Sequence, residues 1–483
     1  MSTPQEQEPK EQTEFAANQE RSTDYSYTNE TGVASGESPP VPTVDREKLR
    51  AQMQQQMKDE QPESSSVTPE PASNDPIEVG TTDASPRSIN FGVVGWGQGG
   101  SRLTEQFYKF GYPSIVGNTA LQDLTHIQMP DSTKIYCNIG LGGVGKDLTL
   151  GAEAFQEYQD QILQAIRGGF GDNIDALIVC IGGGGGTGSG AAESLIQAVL
   201  TIGVPVLCLY TLPMDNEGSD TKSNAIVTLD RIARLAASKA LNGLIVIDNS
   251  RIEEQYPDIS QGQFWNVANF DIVNILHQFN ALSATSTKYQ SLDPMDFGRV
   301  ISTGNCIVYG KMTLPVRMQD NHLEMIDDEL ARAMVAHMDS SLLANDFDLT
   351  QAVCAGVMLT GRDELLNQLP AVNVNFAFSE LNDRLGGTAR VFRGIYADDN
   401  PRDELTVYSI YSGIGLPRER IDNLIAEAQA ANAQIETREA DTTRMSVFAE
   451  NQTVEKEQGR YSELKKKSTA FGRLQKRPGR SRG

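Results

Sequence analysis

The chain has little cysteine, and what it has shows no C-x-x-C spacing: Cys137, Cys180, Cys208, Cys306 and Cys354 stand apart, mostly inside apolar runs. That pattern excludes a disulfide framework and a cysteine metal centre, and reads as reduced core thiols in a cytoplasmic protein. No apolar run approaches the roughly 20 residues of a bilayer span, so no transmembrane segment is expected, and the polar N-terminus lacks a signal-peptide core. Positive charge is also short. The 41 Lys and Arg against 64 Asp and Glu leave a net charge of −23, which excludes whole-surface nucleic-acid binding while leaving room for a local basic segment. Mean hydropathy is −0.37, low for a chain that is core throughout, so part of its length is expected to lie outside any core.

The deficit of apolar residues is concentrated at the two ends. Residues 1–87 are rich in Gln, Glu, Ser, Thr and Pro and read as a disordered acidic and polar extension, with a short spacer helix near 44–58. Residues 441–483 read as a flexible tail that turns strongly basic from Arg460, with Lys465, Lys466, Lys467, Arg473, Lys476, Arg477, Arg480 and Arg482. Such a tail suits DNA, a DNA-bound adaptor or an anionic membrane surface, or simply offsets the acidic body.

Between the ends, strands and helices alternate. Strands are expected at 89–94, 114–119, 134–139, 176–181, 204–210 and 243–249, with helices at 103–110, 152–167, 193–200 and 224–240. The fold class is therefore α/β: a parallel sheet covered on both faces, with ligand loops at the strand C-terminal ends. A long helix at 264–284 follows. Beyond it, strands at 305–309, 352–359, 371–378 and 404–411 and a helix at 327–337 suggest a second, smaller α/β domain, then an Ala-rich helix at 418–435. The expected division is a nucleotide domain at 88–262, a central helix and following loop at 263–299, a C-terminal α/β domain at 300–413 and a C-terminal helix at 414–440.

What the chain has in quantity is glycine, gathered where strands end. The strand at 176–181 runs into Gly182-Gly183-Gly184-Gly185-Gly186-Thr187-Gly188-Ser189-Gly190 and then a helix. A helix N-terminus has unpaired N–H groups and a positive dipole end, and missing Cβ atoms let a phosphate come close. Thr187 and Ser189 add hydroxyls. The first strand leads into Gly95-x-Gly97-x-x-Gly100, a dinucleotide fingerprint, and the third into Gly140-Leu141-Gly142-Gly143-Val144-Gly145. Three such loops on one sheet edge suit a nucleoside triphosphate. The fingerprint alone would suit a Rossmann-type NAD-dependent oxidoreductase, but that reading expects an acid closing the second strand, where this chain has Gly117-Asn118-Thr119.

Taken in order, these motifs resemble the tubulin/FtsZ family of GTPases over roughly 88–413. Gly184, Gly185, Gly186, Thr187, Gly188, Ser189 and Gly190 match its glycine signature. Gly97, Gln98, Gly99, Gly100 and Ser101 are similar to its first phosphate loop, with Ser101 where Asn is usual. The second loop is similar from Gly117 to Leu124, with Ala120 replacing an Asp. Gly142, Gly143 and Val144 resemble the loop that senses the γ-phosphate. The resemblance implies GTP/GDP and Mg2+ as ligands, with Gln98, Asn118, Gln122 and Thr187 around the phosphates or the hydrated ion and no direct side-chain metal ligand assured. It also implies Glu217 near the sugar, Asn249 and Asn269 on the guanine edge, and Trp265 stacked on the base. Lys222 follows the position where the family carries Arg and now stands Thr221. Asp293-x-x-Asp296 resembles the catalytic loop, whose carboxylates act on the GTP of the next subunit in a head-to-tail homopolymer. The implied function is an assembly-activated GTPase of a cytoskeletal filament serving DNA, plasmid or phage positioning or cell division; a nucleotide-binding scaffold without turnover is the alternative within the same resemblance. The basic ending, in place of the usual FtsZ partner peptide, is similar to the plasmid and phage TubZ-like branch.

Overall fold

The computed structural model describes residues 86–140, 142–171, 173–320, 322–325 and 327–447. The extension expected at 1–87, its spacer helix and the basic tail beyond 447 lie almost wholly outside the described residues. In chain order the first half contains β1 (Phe91–Trp96), α1 (Gly97–Lys109), β2 (Ser114–Asn118), α2 (Leu121–Thr125), β3 (Lys134–Tyr136), α3 (Leu148–Phe170), β4 (Ala176–Gly182), α4 (Thr187–Leu200), β5 (Val206–Leu212), α5 (Ser219–Ala237), β6 (Gly243–Asp248) and α6 (Asn249–Gln255). The second half contains α7 (Gln261–Leu282), α8 (Pro294–Ile301), β7 (Cys306–Pro315), the hairpin β8 (Arg317–Gln319) and β9 (His322–Glu324), and α9 (Glu329–Ser340). It ends with β10 (Cys354–Gly361), α10 (Asp363–Leu366), α11 (Ala371–Arg384), β11 (Arg390–Ala397), β12 (Glu404–Ile414) and α12 (Arg418–Val447).

The strands β1, β4, β5 and β6 are near-continuous apolar runs because both of their faces are covered. Side chains alternate across them. Val94, Trp96, Val179 and Ile181 pack toward α3, α4 and α5, while Phe91, Val93, Ile178 and Leu209 pack toward α1 and α7. The strand order is β11-β10-β12-β7-β6-β5-β4-β1-β2-β3. Strands β1 to β6 are all parallel, in the order 3-2-1-4-5-6. The second half joins the same sheet through two β6–β7 residue pairs, Leu244–Cys306 and Ile245–Ile307, and then turns mixed, with β7–β12 and β12–β10 antiparallel and β10–β11 parallel. All five cysteines are buried and free. Burial pushes the thiols of Cys137, Cys180 and Cys306 up to about 12, which leaves them inert as nucleophiles.

Four expectations change. The segment 371–378 is not a strand but the start of α11. Its period-2 alternation is only apparent, for the buried positions are Val374, Ala377, Phe378 and Leu381 at helical spacing, with Val372 and Phe376 exposed. The strand β11 takes its place, and its half-exposed edge position hides it in the sequence. Helix α1 begins at Gly97, six residues before the expected start, so the glycine turn is itself the first helical turn. Helix α12 continues to Val447, past the expected ends at 435 and 440, because no Gly or Pro interrupts it after Pro417.

Candidate functional site

Strands β1 and β4 are neighbours, but the helices that leave them go to opposite faces of the sheet: α1 packs through Leu103 and Phe107 on one side, α4 through Leu195 and Val199 on the other. At this reversal of strand order the two crossovers diverge and leave a crevice beyond the strand ends. A cavity of about 480 Å3 occupies it.

The floor of the cavity is backbone. Gly97 opens α1 with φ +70°, and Gly184 turns the chain out of β4 with φ +96°. Both values lie in the left-handed region, which glycine alone adopts without strain. Gly97, Gln98 and Gly99 line the cavity from the α1 side, and Gly184, Gly185, Gly186, Thr187 and Gly188 from the α4 side. The N-terminal turns of two helices, of 13 and 14 residues, therefore direct unpaired N–H groups at one space. Gly142, Gly143 and Val144 close it from the loop before α3.

Polar side chains tie these loops together. Thr119 and Thr187 share a hydroxyl–hydroxyl hydrogen bond of 2.6 Å. Gln98 Nε2 and Asn118 Nδ2 each donate to the Asp123 carboxylate at 3.1 Å. Lys146 Nζ donates to Thr221 Oγ1 at 2.7 Å. At the opposite end stand Glu217, Asn249, Trp265 and Asn269. Trp265 is half-buried, edge-on to Phe264 at 5.2 Å between ring centres, and Asn269 is buried one helical turn further along α7.

Seven of the residues singled out from the sequence do not line the cavity. Gly100 and Gly190 sit where backbone meets backbone: a Cβ would lie 2.2 Å from the Cys180 carbonyl oxygen at the first and 2.3 Å from that of Leu148 at the second. Ser189 Oγ accepts from Gly184 N at 3.0 Å and braces the turn from behind. Ser101 is buried beneath α1 with no hydrogen-bond partner for its hydroxyl. Gln122 is exposed on the outer side of α2. Asp293 is the N-cap of α8, accepting from Asp296 N at 2.9 Å, and Asp296 lies 3.6 Å from Arg299. The two carboxylates belong to a surface of this chain separate from its own cavity. Lys222 also turns away, donating to the Asp215 carbonyl at 2.5 Å and pairing with Glu427 at 2.7 Å.

The cavity gathers residues that motif reading passed over: Arg102, Asp123, Lys146 and Thr221. Asp123 had a readable signal. It falls one residue after Gln122 on a five-residue helix, and the 100° step between neighbours turns one inward and the other outward. Lys146 had none, since its approach depends on its own positive φ of 70°.

Residues 90–257 match the Tubulin/FtsZ family, GTPase domain, and residues 278–425 match the C-terminal domain of the TubZ-like proteins of that family. The tubulin-like protein CetZ of Pyrococcus horikoshii is 28% identical over 346 residues, 70% of this chain and 88% of that one. The tubulin-like protein TubZ of Bacillus cereus is 24% identical over 427 residues, 80% of this chain and 92% of that one. Among solved structures, the GTPγS-form protofilament of Bacillus thuringiensis serovar israelensis TubZ superposes with a TM-score of 0.64 at 20% identity, over 75% of this chain and 96% of that one. The GTPγS-bound protofilament of CetZ2 from Haloferax volcanii gives 0.60 at 20% identity, over 72% and 100%. These superpositions show the fold. Because its GTPase-domain and TubZ-like C-terminal matches together take up more than half of its length, the chain belongs to the tubulin/FtsZ family of filament-forming GTPases.

Proposed function

We propose that this chain binds GTP in the crevice between β1 and β4, assembles head to tail with copies of itself, and hydrolyses the nucleotide at the contact between subunits. The observation that carries the reading is the convergence of three glycine loops on one space, with Trp265 and Asn269 at its far end. Phosphates would meet the N-termini of α1 and α4, and guanine the indole face of Trp265 with the amides of Asn249 and Asn269 on its edge. The dinucleotide alternative loses its support with the family assignment.

Among the described residues no cluster of three or more His, Cys, Asp and Glu could hold a metal. The donor set therefore suits a hydrated Mg2+ carried by the phosphates, with Asp123 as the carboxylate beside it, rather than a protein cage. When bound, the ion neutralises phosphate charge. Asp123 supplies, three residues later, a carboxylate where Ala120 offers none.

Within one chain nothing beyond the phosphate loops is placed to orient an attacking water. Asp293 and Asp296 would supply that carboxylate to the neighbouring subunit's nucleotide. The contact is heterologous, so it propagates into an open polymer and makes turnover depend on assembly. In this division of labour 88–262 binds nucleotide, 263–299 carries the catalytic loop and 300–413 completes the subunit contact. No helix among the described residues is long and apolar enough to cross a membrane. The cellular task that fits the TubZ and CetZ relatives is positioning of DNA, a plasmid or a phage genome, or division, with the basic tail as the site for DNA or its adaptor.

Light scattering with GTP tests assembly, and phosphate release tests turnover. Asp296→Ala is expected to scatter light with GTP as the wild type does while releasing phosphate about a thousandfold more slowly. Wild-type turnover in that variant would remove the trans-acting carboxylate, and absence of GTP-dependent scattering in the wild type would remove the polymer.

A further inference from the structure

Helix α12 reaches the nucleoside end of the cavity from behind. Its inward face is Arg420, Leu424 and Ala428, spaced four residues apart, all buried. Leu424 belongs to the same cluster as Leu229 and Ile232 of α5. Arg420 is the charged member. Its Nε lies 2.7 Å from Asp248 Oδ2 and its Nη1 2.7 Å from Asp215 Oδ1. Its Nη2 lies 3.2 Å from Asp248 Oδ1, 3.1 Å from Ser250 Oγ and 3.1 Å from the Pro213 carbonyl oxygen.

Those partners come from two segments, and each segment carries a cavity residue. Pro213 and Asp215 lie in the β5–α5 loop just before Glu217. Asp248 and Ser250 flank Asn249 on both sides. The two segments also bond to each other: Ser250 Oγ donates to Asp215 Oδ1 at 2.9 Å and accepts from Asp215 N at 2.9 Å. One guanidinium thus joins both segments across a distance of some 170 to 200 residues in sequence. Burial pushes the Asp248 carboxyl up while Arg420 pulls it back, and at Asp215 burial is outweighed by Ser250 and Arg420, which hold that carboxyl below its ordinary range. Without Arg420, Asp248 would be a buried carboxylate with no counter-ion, and the segment holding Asn249 would have to move toward water.

We propose that Arg420 is a positioning residue for the nucleoside end of the cavity, and that docking of α12 and binding of guanine nucleotide are coupled through it. The inference rests on the GTP reading of the cavity. Coupling is reciprocal: nucleotide tightens the α12 contact to the same degree that the contact tightens nucleotide. Whatever pulls on α12 in a filament is thereby felt at Asn249 and Glu217.

The test uses the full chain, with a fluorescent GDP as probe and unlabelled GDP and ADP as competitors. Arg420→Ala is expected to weaken GDP about tenfold and leave ADP unchanged, so that the preference for guanine falls by that factor; Arg420→Lys recovers part of it. In amide hydrogen exchange, GDP slows exchange over 418–428 in the wild type and not in Arg420→Ala. An unchanged preference in Arg420→Ala, whether both affinities hold or both fall together, overturns the proposal. So does a wild type that binds GDP with no response over 418–428, a measurement that stands even if the variant fails to fold. A wild type that binds no GDP overturns the GTP reading instead.

Discussion

The phosphate end and the nucleoside end of the cavity are built by different means. At the phosphate end the chain presents backbone: strand, glycines and helix, in contiguous stretches at 95–100 and 182–190, with geometry fixed by φ values and by helices that begin at the strand ends. At the nucleoside end it presents four side chains, Glu217, Asn249, Trp265 and Asn269, from three separate segments. Two of those segments are held in place by an arginine from α12. A backbone site carries its information locally and fails locally. A side-chain site is only as well placed as the distant elements behind it, so it can be adjusted from a distance.

The contrast has measurable consequences. The largest effect belongs to Gly184→Ala. The new Cβ would lie 2.2 Å from Thr221 Cγ2 and 2.6 Å from the Thr221 carbonyl oxygen, at a φ of +96° that alanine adopts only under strain. Both faults reshape the turn under the phosphates, so GTP and GDP affinity should fall about a hundredfold, roughly 3 kcal/mol, by calorimetric titration. A smaller loss follows from Trp265→Ala, which removes a stacking face and leaves the backbone floor intact. GDP should weaken about tenfold, roughly 1–2 kcal/mol, with ADP nearly unaffected. If Gly184→Ala changed only the choice of base, or Trp265→Ala matched it in severity, the two ends would not be separate in kind.

The same division governs what could be read from the sequence. The central strands were legible because burial on both faces leaves an unbroken apolar run such as Leu177-Ile178-Val179-Cys180-Ile181, and no turn chemistry competes with it. The phosphate loops were legible because each is one stretch of chain. Segment 371–378 misled, since Asn373 and Asn375 between apolar residues mimic a strand, and only the α9–α11 packing reveals the helical face. At the site, Asp123 was overlooked for Gln122 through a matter of helical phase. Ser189 and Gly190 belong to the motif but serve the turn from behind, a distinction that needs the neighbouring backbone in view. Arg420 carried no signal at all. An arginine in an Ala-rich, Glu-rich helix reads as solvated, and only the fold brings Asp215 and Asp248 to it.

The smallest expected effect separates the two ion pairs that α12 makes. Lys222–Glu427 is as short as the Arg420 contacts, 2.7 Å, but the Glu427 side chain is 42% exposed where that of Asp248 is 5%. Distance alone would rank the pairs equal; solvent decides otherwise. A half-exposed pair is screened, and its net worth is commonly under about 1 kcal/mol. Lys222 moreover keeps its bond to the Asp215 carbonyl when Glu427 is altered. Glu427→Gln should therefore shift GDP affinity by less than about twofold, roughly 0.5 kcal/mol, and the shift should shrink further as salt is raised. A loss as large as that expected of Arg420→Ala, and insensitive to salt, would mean that the whole face of α12 supports the nucleoside end and that the buried guanidinium has no special part in it.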